Sequence, residues 1–191
     1  MSTTLSAGFT NPVADAQRCF RAVLEAMSRP GTVLRVGAEQ PPPCLSPAAA
    51  AVLLSLVDHE TPLWLDPAAE AAWDWIAFHC GAPRTGSASA AHFAVTMTWL
   101  DLAGWNPGTH ETPETSTTVI AEVASLAAGC RYRLSGPGLR VPKIMAVDGL
   151  PADFVASWRR NHTLYPLGVD LILCAGDMMT ALPRSVAIEE A

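Results

Sequence analysis

Ten consecutive positions, Ala48 to Val57, carry no charge and only one polar side chain, Ser55. A helix on a protein surface needs one apolar stripe; a helix that is apolar nearly all round must be covered on every side. Ser46-Pro47 sits directly before it, an N-cap followed by a proline at the first helical position. The spacing therefore predicts a central helix that the rest of the chain must enclose. The segment Pro166-Leu-Gly-Val-Asp-Leu-Ile-Leu-Cys174 gives the clearest strand signal, and a hairpin back through Met178 to Leu182 extends the sheet.

Other elements arrange themselves around these two. In the stretch PVADAQRCFRAVLEAMSRPG, Val13, Ala16, Phe20, Val23, Leu24 and Met27 recur at three- and four-residue spacing. That pattern predicts a helix with these side chains on its buried face, stopped by Pro30-Gly31. Strands are expected at Thr32–Val36, Thr61–Leu65, Phe93–Trp99, Thr117–Val123 and Cys130–Ser135. Asp66-Pro67 should start a helix running to Cys80, ended by Gly81. Pro151 should open another, reaching Arg160. Asp101–Ser116, rich in Gly, Pro, Thr and acid, is expected to be an exposed loop. Helices and strands alternate early and strands dominate late. The expectation is a single α/β domain over residues 1–191, with a mixed sheet in three layers if helices cover both faces.

Composition excludes several function classes. The formal net charge is −6, whereas nucleic-acid binding needs a surplus of Lys and Arg. Five scattered cysteines, odd in number and never in a CxxC pair, fit reduced thiols in the cytosol better than a disulfide framework. No apolar run approaches the ~20 residues of a membrane span, and MSTTLSAGFTNP lacks the pattern of a signal peptide. A cytoplasmic chain without membrane attachment is expected.

The chemistry-bearing motifs are mostly absent. There is no phosphate-binding loop ending in Gly-Lys-Ser/Thr, no GxGxxG after a strand, no GxSxG and no HExxH. Of His59, His79, His92, His110 and His162, only His79 has a cysteine neighbour, Cys80, and adjacent helical positions point ~100° apart, so no metal site is expected. Cys19 and Cys174 sit in apolar surroundings where thiols are inert, and no catalytic residue is assigned. Pyridoxal phosphate would need a Schiff-base lysine. The only lysine, Lys143, lies just beyond a Gly-Pro-Gly turn, a poor position for one, so no cofactor is expected. One positive feature remains: Arg131, Arg133, Arg140 and Lys143 form a basic cluster with no acid between Glu122 and Asp148. It is a candidate anion site or docking face. Asp170, interrupting an apolar strand, calls for a partner, and Arg184 is the candidate.

Two stretches carry a specific resemblance. One is GFTNPVADAQRCFRAVLEAMSRPGTV, including Pro12, Val13, Asp15, Gln17, Phe20, Arg21, Met27, Ser28, Pro30 and Gly31. The other is YPLGVDLILCAGDMMTALPRS, including Pro166, Gly168, Asp170 and Arg184. Together they closely resemble the PhnH subunit of the bacterial carbon–phosphorus lyase system; residues 81–116 match that family poorly. The resemblance implies a fold like that of pyridoxal-phosphate-dependent transferases without the cofactor. It also implies a homodimer in isolation that assembles with sibling subunits. The core complex so formed replaces the adenine of ATP by a phosphonate. On this reading the chain is an accessory subunit without turnover of its own. The competing readings are a stand-alone hydrolase or transferase, and a phosphonate- or nucleotide-binding module built on the basic cluster.

Overall fold

The computed structural model describes residues 6–99 and 101–191. The first helix, α1 (Pro12–Ser28), starts where expected. Its N-cap Asn11 accepts a hydrogen bond from the Ala14 amide, and the Asn11 amide donates back to the Asp15 carboxylate at 2.8 Å. The helix α2 (Pro47–Leu56) is capped by Ser46, and Ala48 through Leu53 are fully buried, as its all-round apolar sequence requires. The segment opened by Asp66-Pro67 is not one α-helix. A 3-10 turn over Pro67–Ala72 comes first, then α3 (Trp73–Cys80), closed by Gly81 in the left-handed conformation. The last helix, α4, spans Phe154–His162.

Six strands form the main sheet: β1 (Leu34–Arg35), β2 (Leu63–Leu65), β3 (Phe93–Thr96), β4 (Thr118–Glu122), β7 (Asp170–Ala175) and β8 (Met178–Leu182), in the order β1-β8-β7-β4-β3-β2. Strands β2, β3, β4 and β7 are mutually parallel, and β8 and β1 add antiparallel edges, so the sheet is mixed. Its side chains divide by the two-residue period of a strand. Val95, Ile120, Ile172, Cys174 and Met179 pack with α1, α2 and α3. Ala94, Val119, Ala121, Leu171, Leu173 and Leu182 point to the other face.

That second face differs from the expectation of helices on both sides. It is covered by α4 and by a separate sheet, β6-β5-β9, made of β5 (Ser125–Ser135), β6 (Lys143–Asp148) and β9 (Ala187–Glu190). The strands β6 and β9 were not expected, and β5 begins five residues earlier than the sequence suggests. An irregular register between Ser125 and Cys130 lets it do so. Phe154 lies at the centre of this layer, edge-on to Tyr132 and Trp99, each 5.3 Å between ring centres. The loop over 101–116 is also less exposed than its composition implies. Leu102 and Trp105 are buried, and Trp105 meets Trp64 edge-on at 5.2 Å. The indole needs a dry surface, and it draws the polar loop down with it.

The largest departure concerns α1. Its buried residues are Cys19, Val23 and Ala26, whereas Val13, Phe20 and Leu24 are 71%, 45% and 52% exposed. The face expected to be core is therefore split: Val23 and Met27 reach the core, while Val13, Phe20 and Leu24 look outward. The helix packs against α2, where Ala48–Ala51 are fully buried, and small side chains on both sides suit that contact.

Two glycine turns seal the end of α1. Gly31 has φ +72°, and a Cβ there would lie 2.6 Å from Leu134 Cδ1; Gly138 has φ +83°, and a Cβ would collide with the Ser28 carbonyl oxygen. The Pro30-Gly31 turn and the Gly136–Gly138 turn are thus pressed together. Gly138→Ala should destabilise the protein by about 2–4 kcal/mol, through a strained backbone and displacement of the α1 terminus. Gly86→Ala, where nothing lies within 4 Å, should change stability little. Urea unfolding of the two variants checks this pair.

Candidate functional site

Because β2, β3, β4 and β7 run parallel, their carboxyl ends meet at one edge of the sheet, the usual location of ligand sites in α/β folds. Asp66 and Glu122 stand there, after β2 and at the end of β4. Asp66 is buried. It accepts from the Ala68 amide at 2.9 Å, from the Met97 and Thr98 amides at 3.0 Å each, and from the Thr98 hydroxyl at 2.9 Å. Burial opposes its charge, but these donors outweigh the burial and hold its carboxyl below the usual range. Three of these bonds tie the end of β2 to the residues that follow β3, and the fourth caps the 3-10 turn after β2, so Asp66 is a staple between strands. Glu122 accepts a 2.7 Å bond from the Ser46 amide at the start of α2, and burial raises its pKa despite that donor.

The thiols nearby are poor nucleophiles. Burial raises the pKa of Cys19, Cys44 and Cys174, and pushes Cys80 up to about 11. Thiolate is therefore scarce at neutral pH at all four positions. Among the described residues no group of three or more His, Cys, Asp and Glu side chains is placed to hold a metal. No helix among them is long and apolar enough to cross a membrane.

At the opposite end of β7, Asp170 has the partner that its half-buried position demands. The Arg184 amide and Nε donate to Asp170 Oδ1 at 2.7 and 3.1 Å, and a terminal guanidinium nitrogen reaches Oδ2 at 2.6 Å. Arg184 also donates to Ser116 Oγ and to the Pro113 carbonyl, binding the 113–116 turn to the sheet. Every acceptor it meets is internal, so the pair is structural. Nearby, Gly168 donates to the Pro107 carbonyl at 2.9 Å, while the Asn161 carboxamide clamps the Val169 backbone at 2.8 and 2.9 Å. Pro166 lies exposed in the loop before them.

The basic cluster is divided. Arg131 and Arg133 do share the outer face of β5, with Tyr132 and Leu134 pointing inward between them. Arg133 pairs with Glu189 of β9 at 3.9 Å. Lys143 is paired in register with Leu134, so it belongs to the opposite face of this sheet, and its ammonium donates to Thr32 Oγ1 at 3.0 Å. Arg140 lies beyond the Gly136–Gly138 turn on the same side as Arg29 and Lys143. The sequence grouping of four is thus two pairs. In the sequence Arg29 stands out only as a helical pair with Glu25, and Glu122 carries no signal of its own. Asp66 was visible only as a helix cap, and Thr32 only as the start of a short strand.

The remaining motif positions lie on or just after α1. Asp15 holds the cap and pairs with Arg18. Gln17 and Arg21 are exposed beside Phe20, Met27 packs on the core, and Ser28 donates to the Glu25 carbonyl. Pro30 and Gly31 are buried in the turn. The four-residue step from Gln17 to Arg21 places both on the outward face with the exposed apolar stripe.

A family model described as bacterial phosphonate metabolism protein (PhnH) matches residues 7–189. The alpha-D-ribose 1-methylphosphonate 5-triphosphate synthase subunit PhnH of Rhizobium meliloti (strain 1021) is 38% identical over 194 residues, covering 98% of this chain and 97% of the relative. The putative C-P lyase subunit protein HtxG of Stutzerimonas stutzeri is 33% identical over 175 residues, covering 90% and 85%.

The two edge carboxylates respond to pH in opposite senses. Glu122 titrates above its unfolded value of about 4.3, so ionising it within the fold opposes stability increasingly as pH rises through that interval. Glu122→Gln retains an oxygen for the Ser46 amide. It should raise Tm at pH 7 by about 2–4 °C, the change expected for ~1 kcal/mol in a domain of this size, and should be neutral below pH ~4. Asp66 is depressed, so its contribution is present above its unfolded pKa and is lost as pH falls through the lower folded value. Asp66→Ala should cost about 2–4 kcal/mol at pH 7, by leaving buried donors without an acceptor. Thermal unfolding of both variants from about pH 2 to pH 8 checks the pair.

Proposed function

This chain belongs to the PhnH family of bacterial phosphonate metabolism proteins, and from that membership we propose that it is an accessory subunit of a carbon–phosphorus lyase core complex. Its contribution is to the step that forms a ribose 1-phosphonate 5-triphosphate from ATP and a phosphonate. The observation that carries this reading is likeness along the whole chain, 98% of it at 38% identity, to a relative named as a subunit of that synthase. The match over residues 7–189 and the core shared by the two sheets support reading 1–191 as one domain.

The geometry supports a subunit without turnover of its own. Asp66 is consumed in strand pairing, Asp170 and Arg184 consume each other, and four thiols are held protonated. What the surface offers instead is a docking feature. Val13, Gln17, Phe20 and Leu24 run along one outward face of α1, with Arg21 beside them. Exposed apolar side chains at helical spacing cost nothing to cover and suit a subunit contact. We assign this face to assembly, whether in a homodimer of the isolated chain or against sibling subunits. The mixed sheet is compatible with a transferase-like fold of the pyridoxal-phosphate class. Lys143 lies on β6 and its ammonium donates to Thr32 Oγ1. A cytoplasmic setting fits the free thiols of all five cysteines.

Co-expression with the products of neighbouring genes, followed by pull-down on this chain, should yield one stoichiometric assembly larger than a dimer of 20.2 kDa chains. A lone dimer or monomer without companions would refute the subunit reading. Phe20→Gln with Leu24→Gln should leave Tm within a few degrees, since both side chains are exposed. The same double variant should weaken assembly at least ten-fold, read as the retained fraction in the pull-down.

A further inference from the structure

The two glycine turns do more than close α1. Between them lies an open cleft of about 500 Å³, lined by Arg29, Thr32, Arg140 and Lys143 with Gly138, Leu139, Val141 and Pro142. Three cations share this one concavity in a chain whose net charge is −6. Arg29 is held by Glu25 at 3.3 Å, but neither Arg140 nor Lys143 enters an ion pair among the described residues. Lys143 reaches across from β6 to donate to Thr32 Oγ1, so its ammonium is fixed between the two walls and keeps further hydrogens to donate. Uncompensated cations gathered in a cleft repel one another and lower the cost of binding an anion there.

We propose that this cleft binds a phospho-oxyanion, the phosphonyl or phosphoryl group of a small molecule. Arg140 and Lys143 supply the charge, Arg29 the opposite wall, and Thr32 the positioning of the ammonium. An arginine fork beside a compact ammonium matches a tetrahedral group with several terminal oxygens. The apolar rim of Leu139, Val141 and Pro142 leaves room for an uncharged substituent. A volume of this size is that of a small-ligand site, whereas a protein partner would need ~800 Å² of complementary surface on each side. The Gly31 and Gly138 contacts give the cleft its form, since a side chain at either position would drive the walls apart. The cleft does not depend on the assembly proposed above; only the choice of phosphorus-bearing probes rests on that reading.

The test is calorimetric titration of the purified full chain with tripolyphosphate, ATP and methylphosphonate, and with citrate as a non-phosphorus polyanion. Saturable binding of at least one phosphorus-bearing probe is expected, weakening as salt is raised. Arg140→Gln with Lys143→Met, which keeps the aliphatic packing of the lysine stem, should weaken it at least ten-fold. Arg131→Gln with Arg133→Gln should leave it within two-fold, and an unchanged Tm without ligand certifies that both variants fold. Tighter binding of tripolyphosphate and ATP than of methylphosphonate would identify a phosphate chain as the ligand. The reverse order would identify a single phosphonyl group, and either order sustains the proposal. Absence of saturable binding, citrate binding as tight as the phosphorus compounds, or equal losses in the two variants would overturn it. The pull-down needs no ligand and the titration needs no partner, so failure of one leaves the other standing.

Discussion

The parallel strands β3, β4 and β7 are buried on both faces, and most of the architecture follows from that constraint. Alternate residues of β4 and β7 enter different cores: Ile120 and Ile172 meet the helices, while Val119, Ala121, Leu171 and Leu173 meet the second layer. A strand with two apolar faces cannot be left at a surface, so two covering layers are obligatory. The first is α1, α2 and α3. The second is a three-stranded sheet and one helix, which explains why the late part of the chain is dominated by strands. Two carboxylates that the sheet takes in with it are each answered by internal partners, whereas the buried Thr180 hydroxyl of β8 has none among the described residues. Asp66 accepts from the next strand, and Asp170 is matched by Arg184 at the far end.

The same constraint accounts for what the sequence made legible. A cap-and-proline pair located the start of α2, three- and four-residue periodicity located α1, and apolar-rich runs located β4 and β7, because these signals are local and strong. The Asp170–Arg184 pair could be anticipated because a carboxylate in an apolar strand demands a cation or donors. The strands β6 and β9 escaped notice for a physical reason. Each is half solvated, with Lys143 and Asp148 bounding one and Glu189 and Glu190 ending the other. Their pairing partners lie far away in sequence, and β-propensity is weak without that context. The helix α1 misled in a different way. Its outward stripe holds Val13, Phe20 and Leu24, and its inward one holds Cys19, Val23 and Ala26 with Met27 packed beside them. Periodicity locates an apolar face, but size cannot say which side is core when the packing surface is alanine-rich.

That division bears on function. A monomer that exposes Val13, Phe20 and Leu24 on one helix has placed three apolar side chains where only another surface can cover them. The motif positions Gln17 and Arg21 share that face, whereas Asp15, Ser28, Pro30 and Gly31 serve the cap, the helix end and the turn. The motif therefore has two purposes within twenty residues: its ends shape the helix and its middle faces outward.

The basic residues show how strand geometry regroups what sequence places together. Arg131, Arg133, Arg140 and Lys143 are neighbours in the chain, yet the β5–β6 hairpin returns Lys143 opposite Leu134, on the face away from both arginines of β5. A turn reverses direction, and parity in the partner strand then decides the face. The partners Lys143 gains instead, Arg29 and Thr32, come from the end of α1 over a hundred residues earlier. Two glycines permit the approach: Gly138 lies against the Ser28 carbonyl and the Pro30 ring, and Gly31 lies against Leu134 and Lys143. The Pro30-Gly31 pair that ends the first helix is thus also what allows a third cation to join Arg140 and Lys143. A structural motif and a candidate binding cleft are two consequences of the same close approach.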